Sequence, residues 1–137
     1  MNDNQIVKVS GVCVDSILSI NNNMNLSKYM AKKLRIEKLS FITPDDNIRY
    51  LLVCIDGWCD KIFYHGNLSK SYTLLCPIIH KTDSLCYYMN NNENWDVELD
   101  EYRNMSQIRV TVYINGIAYP SSLISGSDDM ILEISYQ

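Results

Sequence analysis

The stretch Gln107 to Tyr119, QIRVTVYINGIAY, constrains the fold of this chain more than any other. Ile108, Val110, Val112 and Ile114 fall on one side of an extended chain, and Arg109, Thr111 and Tyr113 on the other. This alternation, with β-branched residues at most positions, is what a half-buried strand requires. A helix would scatter Ile108, Val110 and Val112 over different faces and restrict their side chains. Asn115-Gly116 then supplies two residues that accept positive φ, as a type I′ hairpin turn needs. The segment reads as a central strand that ends in a reversal.

The other periodic segments agree with it. Gln5 to Asp15 reads as a strand with a bulge or bend at Gly11. Leu26, Met30 and Leu34 have i, i+4, i+8 spacing, which allows two helical turns. Arg35 to Ile42 reads as a strand with a slip in register near Glu37-Lys38. Tyr50 to Ile55 is almost continuously apolar, as expected of a strand covered on both faces, and Asp56-Gly57 ends it. Trp58 follows, either inserted in the core or standing as an exposed platform. Residues 59–70 read as a long loop with a short strand at Ile62 to Tyr64. Ser71 to Ile79 is a strand whose Pro77 places that end at an edge or terminus. Ser84 to Met89 and Trp95 to Leu99 are short strands, Asp100 to Ser106 is a link, 120–129 is a loop, and Met130 to Tyr136 is the last strand. The expectation is one all-β domain over 1–137, with eight or nine short antiparallel strands in a sandwich or barrel. Val110, Val112, Leu52, Leu74 and Ile134 are expected in one core.

Composition narrows the function classes. With 47% hydrophobic and 20% charged residues among 137, the chain is suited to a packed core and not to disorder. A net charge of −4 argues against a whole-domain nucleic-acid binder. The one basic concentration, Lys28, Lys32, Lys33, Arg35 and Lys38, reads as a solvated face, with phosphate binding as the alternative. No apolar run is long enough to span a membrane, and the N-terminus lacks the pattern of a secretory signal. Five cysteines without a C-x-x-C motif read as reduced thiols. Cys13, Cys54 and Cys76 lie in apolar runs, where a thiol packs as a small hydrophobe. A zinc site or disulfide drawn from Cys54, Cys59, His65, His80 and Cys86 is the competing reading, although their spacing matches no known ligand pattern.

A search for catalytic groups returns little. His65 and His80 have no Ser or Cys partner at a recognisable spacing. The pairs Asp45-Asp46 and Asp128-Asp129 sit in turn-forming sequence. No glycine-rich phosphate loop is present. The chain is therefore expected to be neither an enzyme nor a cofactor binder.

Taken in a row, LLVCIDGW, SYTLLCPI, NWDVEL, IRVTVYINGIAYP and ILEI resemble a known family. These segments, over roughly residues 48–136, are similar to the single jelly-roll minor capsid and penton-type proteins of eukaryotic double-stranded DNA viruses: polinton-like viruses, virophages and their relatives. The chain departs from that pattern at Asn115-Gly116, where an Asp-x-x-Gly type turn is common. The resemblance implies a single jelly roll that assembles as a homotrimer or homopentamer with other capsid proteins in the virion. It also implies synthesis in the host cytosolic or nuclear compartment and no catalytic site. The candidate interface side chains are Trp58, Tyr64, Tyr87, Tyr88, Trp95 and Tyr119. Two other classes stay open: a ligand- or carbohydrate-binding β-sandwich, and an intracellular viral interaction protein that uses an exposed sheet edge.

Overall fold

The computed structural model describes residues 5–13, 17–20, 30–42, 48–76, 80–82, 85–115, 117–118 and 130–137. Leu26, Lys28, Asp45, Asp46, Pro77, Gly116, Tyr119, Asp128 and Asp129 lie outside them. All regular structure among the described residues is β. No helix there is long and apolar enough to cross a membrane.

The organising strand is β11 (Gln107–Ile114), with Ile108, Val110, Val112 and Ile114 buried and Arg109 exposed. One edge pairs antiparallel with β4 (Leu51–Ile55), from Val110↔Ile55 to Ile114↔Leu51. The other edge takes β2 (Ile17–Ser19) at its start and β12 (Ile117–Ala118) at its end. Asn115 has φ 51°, and the Tyr113↔Ala118 pairing closes the expected two-residue hairpin. β7 (Leu74–Cys76) completes this sheet on the far side of β4.

The second sheet runs β1 (Val7–Val12), β13 (Ile131–Tyr136), β3 (Met30–Ile42), β9 (Leu85–Met89) and β8 (His80–Thr82). β10 (Val97–Asn104) pairs with the N-terminal half of β3, and β9 with its C-terminal half. β5 (Lys61–His65) and β6 (Leu68–Tyr72) form a separate hairpin.

With the hairpin, β8, β10 and β12 set aside, eight strands remain among the described residues, and their order is diagnostic. Numbered first to eighth along the chain, one sheet reads first–eighth–third–sixth and the other second–seventh–fourth–fifth. That interleaving of two Greek keys is the jelly roll. Between the sheets, Leu51, Val53, Ile55, Val110 and Val112 face Leu34, Ile36, Leu39, Leu132 and Ile134, all buried in one cluster. Each fully buried aliphatic side chain contributes about 1.5–3 kcal/mol.

Several expectations change in detail. Met30 to Leu34 is strand, because Leu34 is paired on both sides, with Tyr136 and with Val97. Its helix-like spacing has a local cause. Lys32 and Lys33 both donate to the Gln137 carbonyl, at 2.8 and 3.1 Å, and this irregularity lets Ala31 and Leu34 both be buried. The slip near Glu37-Lys38 is present: Glu133 pairs with Lys38 and Ile134 with Ile36, leaving Glu37 as the extra residue. Gly11 is not a bulge, since β1 stays in register with β13 throughout. A Cβ there would lie 2.8 Å from Leu18 Cδ1, so any larger residue would require the end of the Leu18 side chain to shift. Residues 59–70 are not a long loop. They carry the β5–β6 hairpin, whose Gly66-Asn67 turn has Gly66 at φ 61°. The expected link at 100–106 is strand up to Asn104.

Leu52 is fully buried but outside the main core. It points to the opposite face of β4 from Val53, where the hairpin folds over the sheet. There Tyr50 and Phe63 have ring centroids 5.2 Å apart, and Lys70 Nζ sits 4.1 Å from the Tyr113 ring centroid. The continuous apolar run of β4 thus meets the core on one face and the hairpin on the other.

Candidate functional site

The described side chains between the sheets form one buried apolar cluster, and the polar and charged groups among the described residues lie mainly on outer faces, edges and loops. The outer face of the β1–β13–β3–β9 sheet shows a row fixed by register. Val12 pairs with Ile131, Ile131 with Ser40, and Ser40 with Tyr87. Val12 and Ile131 are 47% and 48% exposed. The next outward row is Ser10, Glu133, Lys38 and Met89. Glu133 lies between Lys8 at 3.1 Å and Lys38 at 4.0 Å, so two lysines share one carboxylate beside the apolar row. Ile131 was legible as outward-facing from the alternation of Leu132, Ile134 and Tyr136, but its neighbours across the sheet were not.

A second cluster forms where β9 leaves the edge of β3 and β10 takes its place. The Asn90 N–H donates to Glu37 O at 2.8 Å, and the Asp96 N–H to Leu34 O at 2.9 Å. In the gap, the Ile36 N–H donates to Asp96 Oδ2 at 2.8 Å. Arg35 pairs with Glu37, donates to Glu93 O at 2.6 Å and stacks 4.8 Å from the Trp95 ring centroid. Lys61 Nζ of the hairpin donates to Asp96 O at 2.6 Å and Thr73 O at 3.0 Å, tying the hairpin to this edge. Burial raises the Asp96 carboxyl above its usual range, against the lowering effects of the Ile36 N–H, Lys61 and Arg35. Burial, with the nearby Asp96 charge, pushes the Tyr88 hydroxyl up to about 12.

The sign of the Asp96 effect gives a prediction. A carboxyl with a raised folded-state pKa favours folding most when protonated, and that contribution is lost as pH rises through the folded value. Asp96→Asn keeps an oxygen acceptor for Ile36 and removes the desolvated charge. Its stability relative to wild type should therefore increase as pH rises from the ordinary aspartate range to 7. Paired urea titrations across that range measure the difference; a relative stability that falls with pH would contradict the assignment.

The sequence-proposed interface residues do not form one surface. Trp58 is 1% exposed and belongs to the core, a correction to its place on that surface. It is drawn in because the turn at Asp56-Gly57 folds the chain back, with the Trp58 N–H donating to Ile55 O at 2.8 Å. Tyr64 is 73% exposed on the hairpin, next to exposed Ile62 on the same face. Tyr87 faces outward in the apolar row. Tyr88, half-buried, packs against the core, and Trp95 is half-buried under Arg35; both border Asp96. Tyr119 is outside the described residues.

The basic stretch is also largely engaged. Lys32 Nζ lies 4.6 Å from the Tyr102 ring centroid, Arg35 is held by Glu37 and Trp95, and Lys38 borders Glu133. Lys33 stands opposite Glu98 in the β3–β10 pairing. Among the described residues, no group of three or more His, Cys, Asp and Glu could hold a metal. The backbones of His65 and His80 lie in β5 and β8.

Comparison with known proteins finds no matching family model, no matching curated protein and no matching solved structure.

Proposed function

We propose that this chain is a structural subunit of a viral shell, a single jelly roll that associates with copies of itself as a trimer or pentamer and with other capsid proteins. The observation that carries this reading is the interleaved order of the two sheets, an architecture used by viral capsid domains as well as by lectins and cupins. Two further features favour assembly over ligand binding. The described side chains between the sheets, where a cupin-type pocket would lie, form one buried apolar cluster. The aromatic residues that a sugar platform would need are dispersed: Trp58 in the core and Trp95 stacked by Arg35. On the assembly reading, the outward row of Val12, Ile131 and Tyr87, with Met89 beside it, is the surface that a neighbouring copy covers. Among the described residues β1 is the outermost strand of this sheet, and its edge lies alongside that row. The virion is then where the protein acts, without catalysis.

Sedimentation velocity tests this at physiological salt and at roughly 0.5 M, where charge–charge attraction between exposed groups is largely screened. A trimer or pentamer is expected under both conditions, because the contact is apolar. Ile131→Glu, which alters an exposed side chain, should weaken association by at least about tenfold, equivalent to about 1.4 kcal/mol. Its melting temperature as a monomer should change little. A wild-type monomer in both buffers that is absent from purified particles would overturn the proposal.

A further inference from the structure

The outward apolar row is bordered by unequal charge. Lys8 and Lys38 are exposed and share Glu133, which is mostly covered. Among the described residues this leaves a positive surplus beside Val12, Ile131 and Met89, which are themselves exposed. Outward positions recur about every 7 Å along a strand, so both lysines can reach a molecule seated on the row. The chemistry that fits this face is apolar surface bordered by negative charge.

One described element carries both. β10 pairs with β3 at Val97↔Leu34 and Glu98↔Lys33, and again at Arg103↔Ala31 and Asn104↔Met30. Leu99, Asp100, Glu101 and Tyr102 thus stand where β3 offers only Lys32, and the surplus chain bulges from the ladder. Leu99 is half-buried and packs against the core, which anchors the bulge. Asp100, Glu101 and Tyr102 are exposed. Lys32 Nζ, 4.6 Å from the Tyr102 ring centroid, holds that ring on the bulge. Asp100 and Glu101 enter no ion pair among the described residues. The other exposed apolar strip, Ile62 and Tyr64 on the hairpin, faces Ser71 and Ser69 across its ladder and offers the lysines no charge.

We propose that the β10 bulge of a second copy covers the outward row, with Tyr102 on Val12, Ile131 and Met89, and with Asp100 and Glu101 facing Lys8 and Lys38. This rests on the assembly reading above and names the surface that meets the row. Along β3 the bulge lies at Lys32 and the row at Ser40, eight residues or about 26 Å apart, so no molecule places its own bulge on its own row. The contact is therefore heterologous, with one bulge and one face per copy, the kind that closes into rings. The lysine–carboxylate pairs form its rim and set the orientation, while the apolar centre supplies most of the affinity.

Sedimentation velocity on the full chain tests this. Asp100→Lys combined with Glu101→Lys, both on the exposed bulge, should leave the melting temperature unchanged and weaken association at least tenfold. Ile131→Glu removes the other side of the same contact. At a concentration where each variant alone is a monomer, an equimolar mixture should give a dimer and nothing larger. The intact face of the first variant takes the intact bulge of the second, and no further contact is left. Tyr102→Ser replaces the double variant if that one fails to fold. A monomeric wild type would overturn this contact together with the assembly reading. An oligomeric wild type whose bulge variants associate undiminished would overturn this contact alone, and dissociation by Tyr64→Glu would then assign the row to the hairpin. A mixture that stays monomeric would also overturn it, because the face would then meet its own copy.

Discussion

Val112→Asp should yield no cooperatively folded protein at 25 °C. Val112 is buried in the middle of β11, paired with Val53 and facing the space between the sheets. The substitution removes about 1.5–3 kcal/mol of apolar burial. It also places a carboxylate within a cluster of buried apolar side chains, and the penalty for an unpaired charge in such a place is several kcal/mol even after the group protonates or the site relaxes. A domain of this size has only about 5–15 kcal/mol of stability in total. Thr111→Asp is the matched control. Thr111 is half-buried on the opposite face of the same strand, across from Cys54, so its cost should be about 1–2 kcal/mol and a transition should remain. Urea unfolding followed by circular dichroism separates the two. Equal losses would contradict the assignment of inward and outward faces to β11, and a reversed order would mean that the faces are exchanged.

Trp58→Ala should be the next most damaging change, at about 3–5 kcal/mol, the usual range for removing a large buried aromatic. The ring is among the largest fully buried side chains, and the residue closes the turn after β4. Its backbone remains bonded in the variant: Trp58 N–H to Ile55 O at 2.8 Å, and Thr73 Oγ1 donating to Trp58 O at 2.9 Å. The loss should therefore come from the cavity and not from the turn. Trp58→Phe, which refills part of the volume, should recover a substantial share of it. The midpoints of urea unfolding for the three proteins check the order. An alanine variant within about 0.5 kcal/mol of wild type, the range of ordinary surface substitutions, would place the ring outside the core.

Local periodicity, carried by adjacent residues, is what the sequence by itself determined. The alternation of Ile108 to Ile114 assigned both faces of β11, and Asn115-Gly116 marked its reversal. The broken alternation at Glu37-Lys38 marked the bulge in β3. The unbroken apolar run from Leu51 to Ile55 required cover on both sides. Gly66-Asn67 carried a hairpin signal of the same local kind, hidden by the polar residues around it. Only the tertiary structure decided which strands are neighbours, because pairing depends on contacts between residues far apart in the chain. The β1–β13 and β3–β13 ladders, which bring the two ends of the molecule together, have no local signature. The same reason separates the sites. Trp58 went to the core because a turn and the opposite sheet enclosed it, and Leu34 became strand because it gained partners on both edges. Ile131 joined Val12 and Tyr87 in one outward row, and Cys59 was set beside Thr73, through register and chain reversal that no single segment encodes.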